Sequence, residues 1–223
     1  VTDEGARPGP DGRPRCPWAV TGGELYLGYH DEEWGRPVHG AAPLYERLCL
    51  EAFQSGLSWI TILRKRPAFR AAFAGFDPAV VARFGDGDVE RLLADPGIVR
   101  NRAKVRAALD NAHAVLALEA AYPGGLDALV WSHAPAPRPR PRTVADVPAS
   151  TPESVALARE LKARGIRFVG PTTAYALMQA CGLVDDHLAG CAVPAPALAR
   201  GPAGHPLAPL PGEERDSEGE ARR

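Results

Sequence analysis

Apolar positions along most of this chain recur at the three-to-four-residue spacing of helices, and no segment alternates convincingly as a strand would. The longest periodic run, Asn101 to Tyr122, sets Val105, Leu109, Ala112, Leu116 and Leu118 along successive turns, which predicts an amphipathic core helix. Helix starts carry their own punctuation. Pro43 opens a segment through Phe53, Asp77-Pro78 supplies an N-cap and a first-turn proline, and Ser150-x-x-Glu153 around Pro152 reads as a capping box. A last helix is opened by Pro171 and closed by Gly182. Residues 1–14 and roughly 194–223 hold Pro, Gly, Ala and charge without apolar period. Both are expected to be disordered tails around a folded body at 15–193. The interruption HAPAPRPRPR at 133–142 is extended and stiff by its alternating prolines. It reads either as a solvated linker or as a strip whose arginines touch phosphates.

Composition narrows the setting. With 223 residues, 45% of them hydrophobic, the chain can bury one sizeable core or two small ones. No stretch approaches the roughly 18 apolar residues of a membrane span, and VTDEGARPGPDGRPR lacks the apolar core of a secretory signal, so no membrane partner and a cytoplasmic location are expected. A net charge of −1 gives no global attraction to nucleic acid. Arg138, Arg140 and Arg142 nevertheless cluster, as do Arg159, Lys162, Arg164 and Arg167, so a local basic face survives the averaging. The four cysteines, Cys16, Cys49, Cys181 and Cys191, fit metal ligands or buried thiols better than disulfides in a reducing compartment. His187-x-x-x-Cys191 places an imidazole and a thiol within one turn, and Cys16 with His30 repeats the pair near the other end. Either the four form a closed structural metal site that pins the ends of the fold, or they are buried cysteines beside ordinary histidines.

Two strings interleave aromatics and carboxylates: LYLGYHDEEW at 25–34 and LEAFQSGLSWITI at 50–62. Trp18, Tyr26, Tyr29, Trp34 and Trp59 suit a pocket for a flat, cationic ring, and equally suit an aromatic core. Glu51 falls at the boundary of its helix, where a glutamate is ordinarily solvated unless a substrate reaches it. The segment GIRFVGPTTAYALMQACG at 165–182 leads a short turn into a helix start flanked by Lys162, Arg164 and Arg167. Backbone N–H groups there can hold a DNA phosphate without reading sequence, or the turn is a plain packing corner.

The strings CPW, LYLGYHDEEWG, LEAFQSGLSWITILRKR, FDPAVVARF, GIVRNRAKV, RFVGPTTAYALMQACG and VDDHLAGC run in order from about residue 15 to 191. In them the chain closely resembles the Tag family of 3-methyladenine DNA glycosylases, within the helix-hairpin-helix glycosylase superfamily. The resemblance implies an all-α, two-lobed fold with a hairpin at about 163–173. It also implies one structural zinc ion on Cys16, His30, His187 and Cys191. The implied activity is base-excision repair: hydrolysis of the N-glycosidic bond of 3-methyladenine in alkylated double-stranded DNA by a monomer, releasing the free base. By the same resemblance Glu51 recognises the base with Tyr29 beside it, Trp59 is the stacking face, and Trp18 and Tyr26 complete the walls. Gly56-Leu57 is the wedge that enters the DNA stack, and Arg164, Gly165, Val169, Gly170 and Thr172 belong to the DNA-binding hairpin. Thr172 stands where lyase-competent superfamily members carry a lysine, which implies no Schiff base and no strand cleavage. Asp185 falls where the superfamily has a catalytic aspartate and Tag sequences often have Asn. It either stabilises charge developing on the sugar or is an acceptor that orients His187.

Overall fold

The computed structural model describes residues 4–195, and local helix signals account for most of that length. Short helices α1 (Pro17–Thr21) and α2 (Glu24–Glu32) lead into α3 (Ala41–Gln54) and α4 (Trp59–Ala72). Then come α5 (Pro78–Val81), α6 (Asp86–Ala94), α7 (Arg102–Ala121) and α8 (Gly125–Trp131), and finally α9 (Pro152–Ala163) and α10 (Pro171–Ala180). None of the described helices is long and apolar enough to cross a membrane.

Helix α3 buries Leu44, Tyr45, Leu48, Cys49, Leu50 and Phe53, almost its whole circumference, because α4, α7, α8 and α10 all pack against it. Each large apolar side chain so removed from water contributes roughly 1.5–3 kcal/mol. Against it lies α7, whose Val105, Ala108, Ala112 and Val115 are buried, and the Tyr45 hydroxyl donates to the Ala108 carbonyl at 2.8 Å. The expected core stripe shifts at its end, since Val115 and Leu118 are buried while Leu116 faces solvent. Helices α9 and α10 pair with each other, and α10 docks on α3. The core is continuous from α3 to α10, with a small satellite of Cys16, Leu188, Cys191 and Val193.

Caps behave largely as the sequence implies. Asp77 accepts from Ala79 N–H at 2.8 Å and Asn101 from Lys104 N–H at 3.1 Å. The capping box of α9 sits one residue later than expected: Thr151 is the N-cap and exchanges bonds with Ser154, leaving Ser150 and Glu153 outside the box.

Two expectations need correction. Residues 4–14 are not a structureless leader, for Arg7–Pro8 pairs antiparallel with Pro14–Arg15 in a small hairpin. Its flanks are tied down by Val144 N–H donating to Glu4 O at 3.1 Å and Ala192 N–H to Pro14 O at 2.8 Å. The Pro-Arg segment is also no free linker. Arg138 binds Asp186 at 2.8 Å, Arg140 binds Asp185 at 2.7 Å, and Ala189 N–H donates to Pro141 O at 2.8 Å, so it runs as a strap across the loop after α10. The C-terminal segment expected as a tail lies, from residue 196 on, outside the described residues.

Candidate active site

Where α1, α2, α3, the start of α4, α10 and the segment of Val144 and Val147 beyond the strap converge, a cavity of about 300 Å³ opens to the surface. Trp18, Tyr26, Tyr29, Trp34 and Trp59 all line it. The rings brace one another: Trp18 meets Tyr26 edge-on at 5.2 Å and Trp34 at 5.1 Å, and Tyr29 tilts against Trp59 at 5.5 Å. A wall of this kind accepts a flat ring and favours one that carries positive charge. Trp59 also keeps its indole N–H buried without a partner among the described residues.

Glu51 is on the same wall, only 5% exposed. No donor among the described residues reaches its carboxyl group. Burial pushes its pKa up to about 8, and the nearby Arg47 charge, one turn earlier on α3, offsets only part of that. Beside it the Tyr29 hydroxyl is held neutral, first by burial and then by the Glu51 charge. The arrangement is an uncompensated acid in an apolar cleft, which a cationic ligand would complement.

Three polar lining residues escape a reading of spacing alone: Gln54, Gln179 and Asp186. Gln54 follows Glu51 by three residues on α3, so it shares that helix face. Asp186 is 3% exposed and accepts from Tyr175 Oη at 2.5 Å, Gln179 Nε2 at 2.8 Å and Arg138 Nη2 at 2.8 Å. Its neighbour Asp185 does not line the cavity. One Asp185 oxygen accepts from Arg140 Nε and the other from the His187 backbone N–H at 3.3 Å.

The cavity's far wall includes Cys16, which belongs to a second cluster. Cys16, His30, His187 and Cys191 are all buried, and one ligand atom from each lies within 4.8 Å of the others, a group that could hold a metal ion. His187 Nδ1 stands 3.2 Å from His30 Nε2, 3.7 Å from Cys191 Sγ and 4.0 Å from Cys16 Sγ, and Cys191 Sγ is 3.6 Å from His30 Nε2. Both rings are oriented through their remaining nitrogens. His30 Nδ1 meets Asp31 at 2.8 Å, and Asp31 in turn accepts from the buried Arg15; His187 Nε2 donates to Trp34 O at 3.2 Å. Gly35 is required beside that contact, since it has φ 75° and a Cβ there would lie 3.1 Å from His187 Nε2. Hydrogen bonding, from Cys16 first and then from His187 and His30, pushes Cys191 well below the ordinary thiol range against the opposing effect of burial, while hydrogen bonding to Cys191 and burial push Cys16 up.

On the outer rim, Gly56 adopts φ 84° and turns the chain so that Leu57 projects 42% exposed. Lys104, 9% exposed, braces this turn by donating to Phe53 O at 2.9 Å and Ser55 O at 2.6 Å. A groove runs from Ser55 to the α9–α10 turn, lined by Lys162, Gly165, Arg167, Phe168, Val169, Gly170 and Thr173. Thr172 is exposed in the first turn of α10. Arg164 is not available on this face. Its side chain is 6% exposed, its guanidinium forks onto Glu160 at 2.5 and 2.9 Å, lies over the Tyr122 ring and bonds the Tyr122 hydroxyl. The exposed cations there are Lys162 and Arg167; Arg167 pairs with Asp110 at 2.6 Å on the groove wall, with Phe168 beside it in the left-handed region at φ 59° and 44% exposed.

A family model described as methyladenine glycosylase matches residues 18–194. The chain is 48% identical over 180 residues to DNA-3-methyladenine glycosylase 1 of Escherichia coli strain K12, covering 79% of this chain and 95% of that protein. A crystal structure of 3-methyladenine DNA glycosylase I (TAG) superposes with a TM-score of 0.76 at 47% identity, covering 80% of this chain and 98% of the other. A tyrosine-to-phenylalanine variant of TAG in complex with 3-methyladenine superposes with a TM-score of 0.75 at 34% identity, covering 80% and 96%. Matched along nearly all of its described length, the chain belongs to the methyladenine glycosylase family.

Proposed function

We propose that this protein removes 3-methyladenine from alkylated double-stranded DNA by hydrolysing its N-glycosidic bond, leaving an abasic site. The observation that carries the reading is Glu51, a buried carboxyl group without a protein partner in a cleft walled by five aromatic rings. Methylation at N3 places positive charge on adenine and makes it a good leaving group. Aromatic faces then attract the cation by about 0.5–2 kcal/mol. A positive base next to Glu51 also favours the ionised carboxylate, so binding expels the proton that burial otherwise retains. Trp59 serves as the stacking face and Tyr29, Trp18 and Tyr26 close the walls, so that charge on the base is solvated by this pocket rather than by water.

The same reading makes Leu57 the wedge that fills the stack when the lesion leaves it, a step that costs a few kcal/mol and least for a damaged base. The groove to Gly165, Val169, Gly170 and Thr172 carries the flanking phosphates, on backbone N–H groups at the start of α10 and on Arg167. This is the helix-hairpin-helix of a two-lobed glycosylase domain at 15–193. No lysine lines the cavity among the described residues, and Thr172 offers no amine, which supports a monofunctional hydrolase without strand cleavage. Asp185, bonded to Arg140 and to the His187 backbone, acts as a positioning residue for the loop that carries His187.

The Cys16, His30, His187 and Cys191 site is assigned to one structural zinc ion. A tetrahedral zinc with nitrogen at about 2.05 Å and sulfur at about 2.3 Å separates N from N by about 3.3 Å and N from S by about 3.6 Å. The separations of 3.2, 3.6 and 3.7 Å among His30, His187 and Cys191 match that pattern, and Cys16 Sγ stands 4.0 Å from His187 Nδ1, longer by about 0.4 Å. With four protein ligands the ion supplies fold stability rather than Lewis-acid chemistry. One chain supplies the whole described pocket, so the reaction needs no partner subunit, and the protein is assigned as a monomer; a cytoplasmic location is assigned with the DNA-repair reading.

Incubation with methylated duplex DNA tests the reading. The account expects free 3-methyladenine and an intact strand bearing abasic sites; absence of released base, or strand scission without added base, contradicts it.

A further inference from the structure

We infer that Gln179 presents its amide carbonyl to the edge of the bound base, fixed in that orientation by Asp186, and that this pair selects a purine edge bearing an amino group over one bearing a carbonyl. The inference rests on the glycosylase reading above and names a specificity element within it.

Three facts set the orientation of the amide. Asp186 is 3% exposed and both of its oxygens are occupied by donors: Oδ1 by Arg138 at 2.8 Å, Oδ2 by Tyr175 Oη at 2.5 Å and Gln179 Nε2 at 2.8 Å. A carboxylate accepts only, so the Gln179 amino group must be the partner. Turning the amide over would set oxygen against oxygen at that distance. The amino group is therefore spent on Asp186, and no donor among the described residues reaches Gln179 Oε1. Gln179 lines the cavity with Ala176, three residues earlier on the same face of α10, and with Glu51 across from it on α3. Gln179 Oε1 is thereby offered to a ligand as an acceptor.

Adenine carries a donor amino group at position 6, where the guanine type carries a carbonyl acceptor. An acceptor fixed in a half-buried wall bonds the first and is left facing like charge by the second, and such mismatches discriminate strongly because neither group can turn to water. Asp186 is a positioning residue here: it acts through Gln179, and its anchors Tyr175 and Arg138 tie the setting to α10 and to the strap.

The test uses free 3-methyladenine and 3-methylhypoxanthine, which differ at position 6 by the exchange of amino for carbonyl, titrated against the tryptophan fluorescence of the pocket. Wild type should bind 3-methyladenine at least about tenfold more tightly. Gln179→Leu should shrink that ratio at least about threefold by weakening 3-methyladenine. Asp186→Asn, which can donate to Gln179 and lets the amide reverse, should shrink it by strengthening 3-methylhypoxanthine, a change that loss of structure would not produce. If Asp186→Asn does not fold, Gln179→Leu alone decides. An unchanged ratio in a variant that folds, with wild type binding 3-methyladenine, overturns the inference alone. Failure of wild type to bind either base overturns the glycosylase reading together with it.

Discussion

Glu51 sits one turn beyond Arg47 on α3, yet its environment is set by burial more than by that charge, and its pKa of about 8 lies above the ordinary value of 4.5. The linkage has a definite sign. Between those two values the native state holds a proton that the unfolded chain has lost, so the contribution of Glu51 to stability is fully present below about pH 4.5 and is lost as pH rises through about 8. Glu51→Gln removes the titrating group and keeps the shape. The variant should match wild type in thermal melting near pH 5 and exceed it near pH 9, by an amount on the order of 4 kcal/mol at most. Parallel melting curves across that range would mean that Glu51 is not desolvated in the native state. The pair at 185 and 186 teaches the same lesson in reverse. Two adjacent aspartates look equivalent in the string VDDH, but one is consumed by Arg140 and the loop backbone, and the other faces the cavity.

Elements whose signals are local could be read from the sequence. Helix α7 follows its apolar period, α5 its Asp-Pro cap and α10 its proline start, because each depends on residues within a turn or two. Elements defined by distant partners could not. The Pro-Arg strap is held by carboxylates 45 and 48 residues away, so its prolines announce an extended segment but not what it lies on. Lys104 looks like an ordinary polar position of α7, and only the fold brings it to the carbonyls of Phe53 and Ser55, 51 and 49 residues earlier, just before the Gly56–Leu57 turn. Arg164 sits in a basic run that suggests a phosphate contact, but Glu160 one turn before it and Tyr122 on α7's end claim its guanidinium. The aromatic residues of the pocket were legible as a set. That they form a cavity instead of a filled core was not, since composition is the same in both cases.

At the scale of the whole molecule, the Cys16, His30, His187 and Cys191 cluster and the pocket are neighbours rather than separate devices. Cys16 and Trp34 belong to the cavity wall, Trp18 meets His30 edge-on at 5.1 Å, and Trp34 meets His187 at 4.7 Å. The cluster also joins segments 171 residues apart, so closing that loop removes freedom from the unfolded chain. Chelation of the assigned zinc should therefore lower the melting temperature by on the order of 10 °C. It should also shift tryptophan emission and weaken 3-methyladenine binding in the same titration. Loss of metal that leaves both melting and emission unchanged would remove the cluster from the structural account. The pocket itself is tested most directly by single-turnover release of 3-methyladenine from methylated duplex DNA at neutral pH, run with wild type and with folded Glu51→Gln of equal metal content. The account predicts release by wild type and a rate lower by about 100-fold or more in the variant, the scale of loss when a charge-stabilising group is removed; equal rates for the two proteins would contradict it.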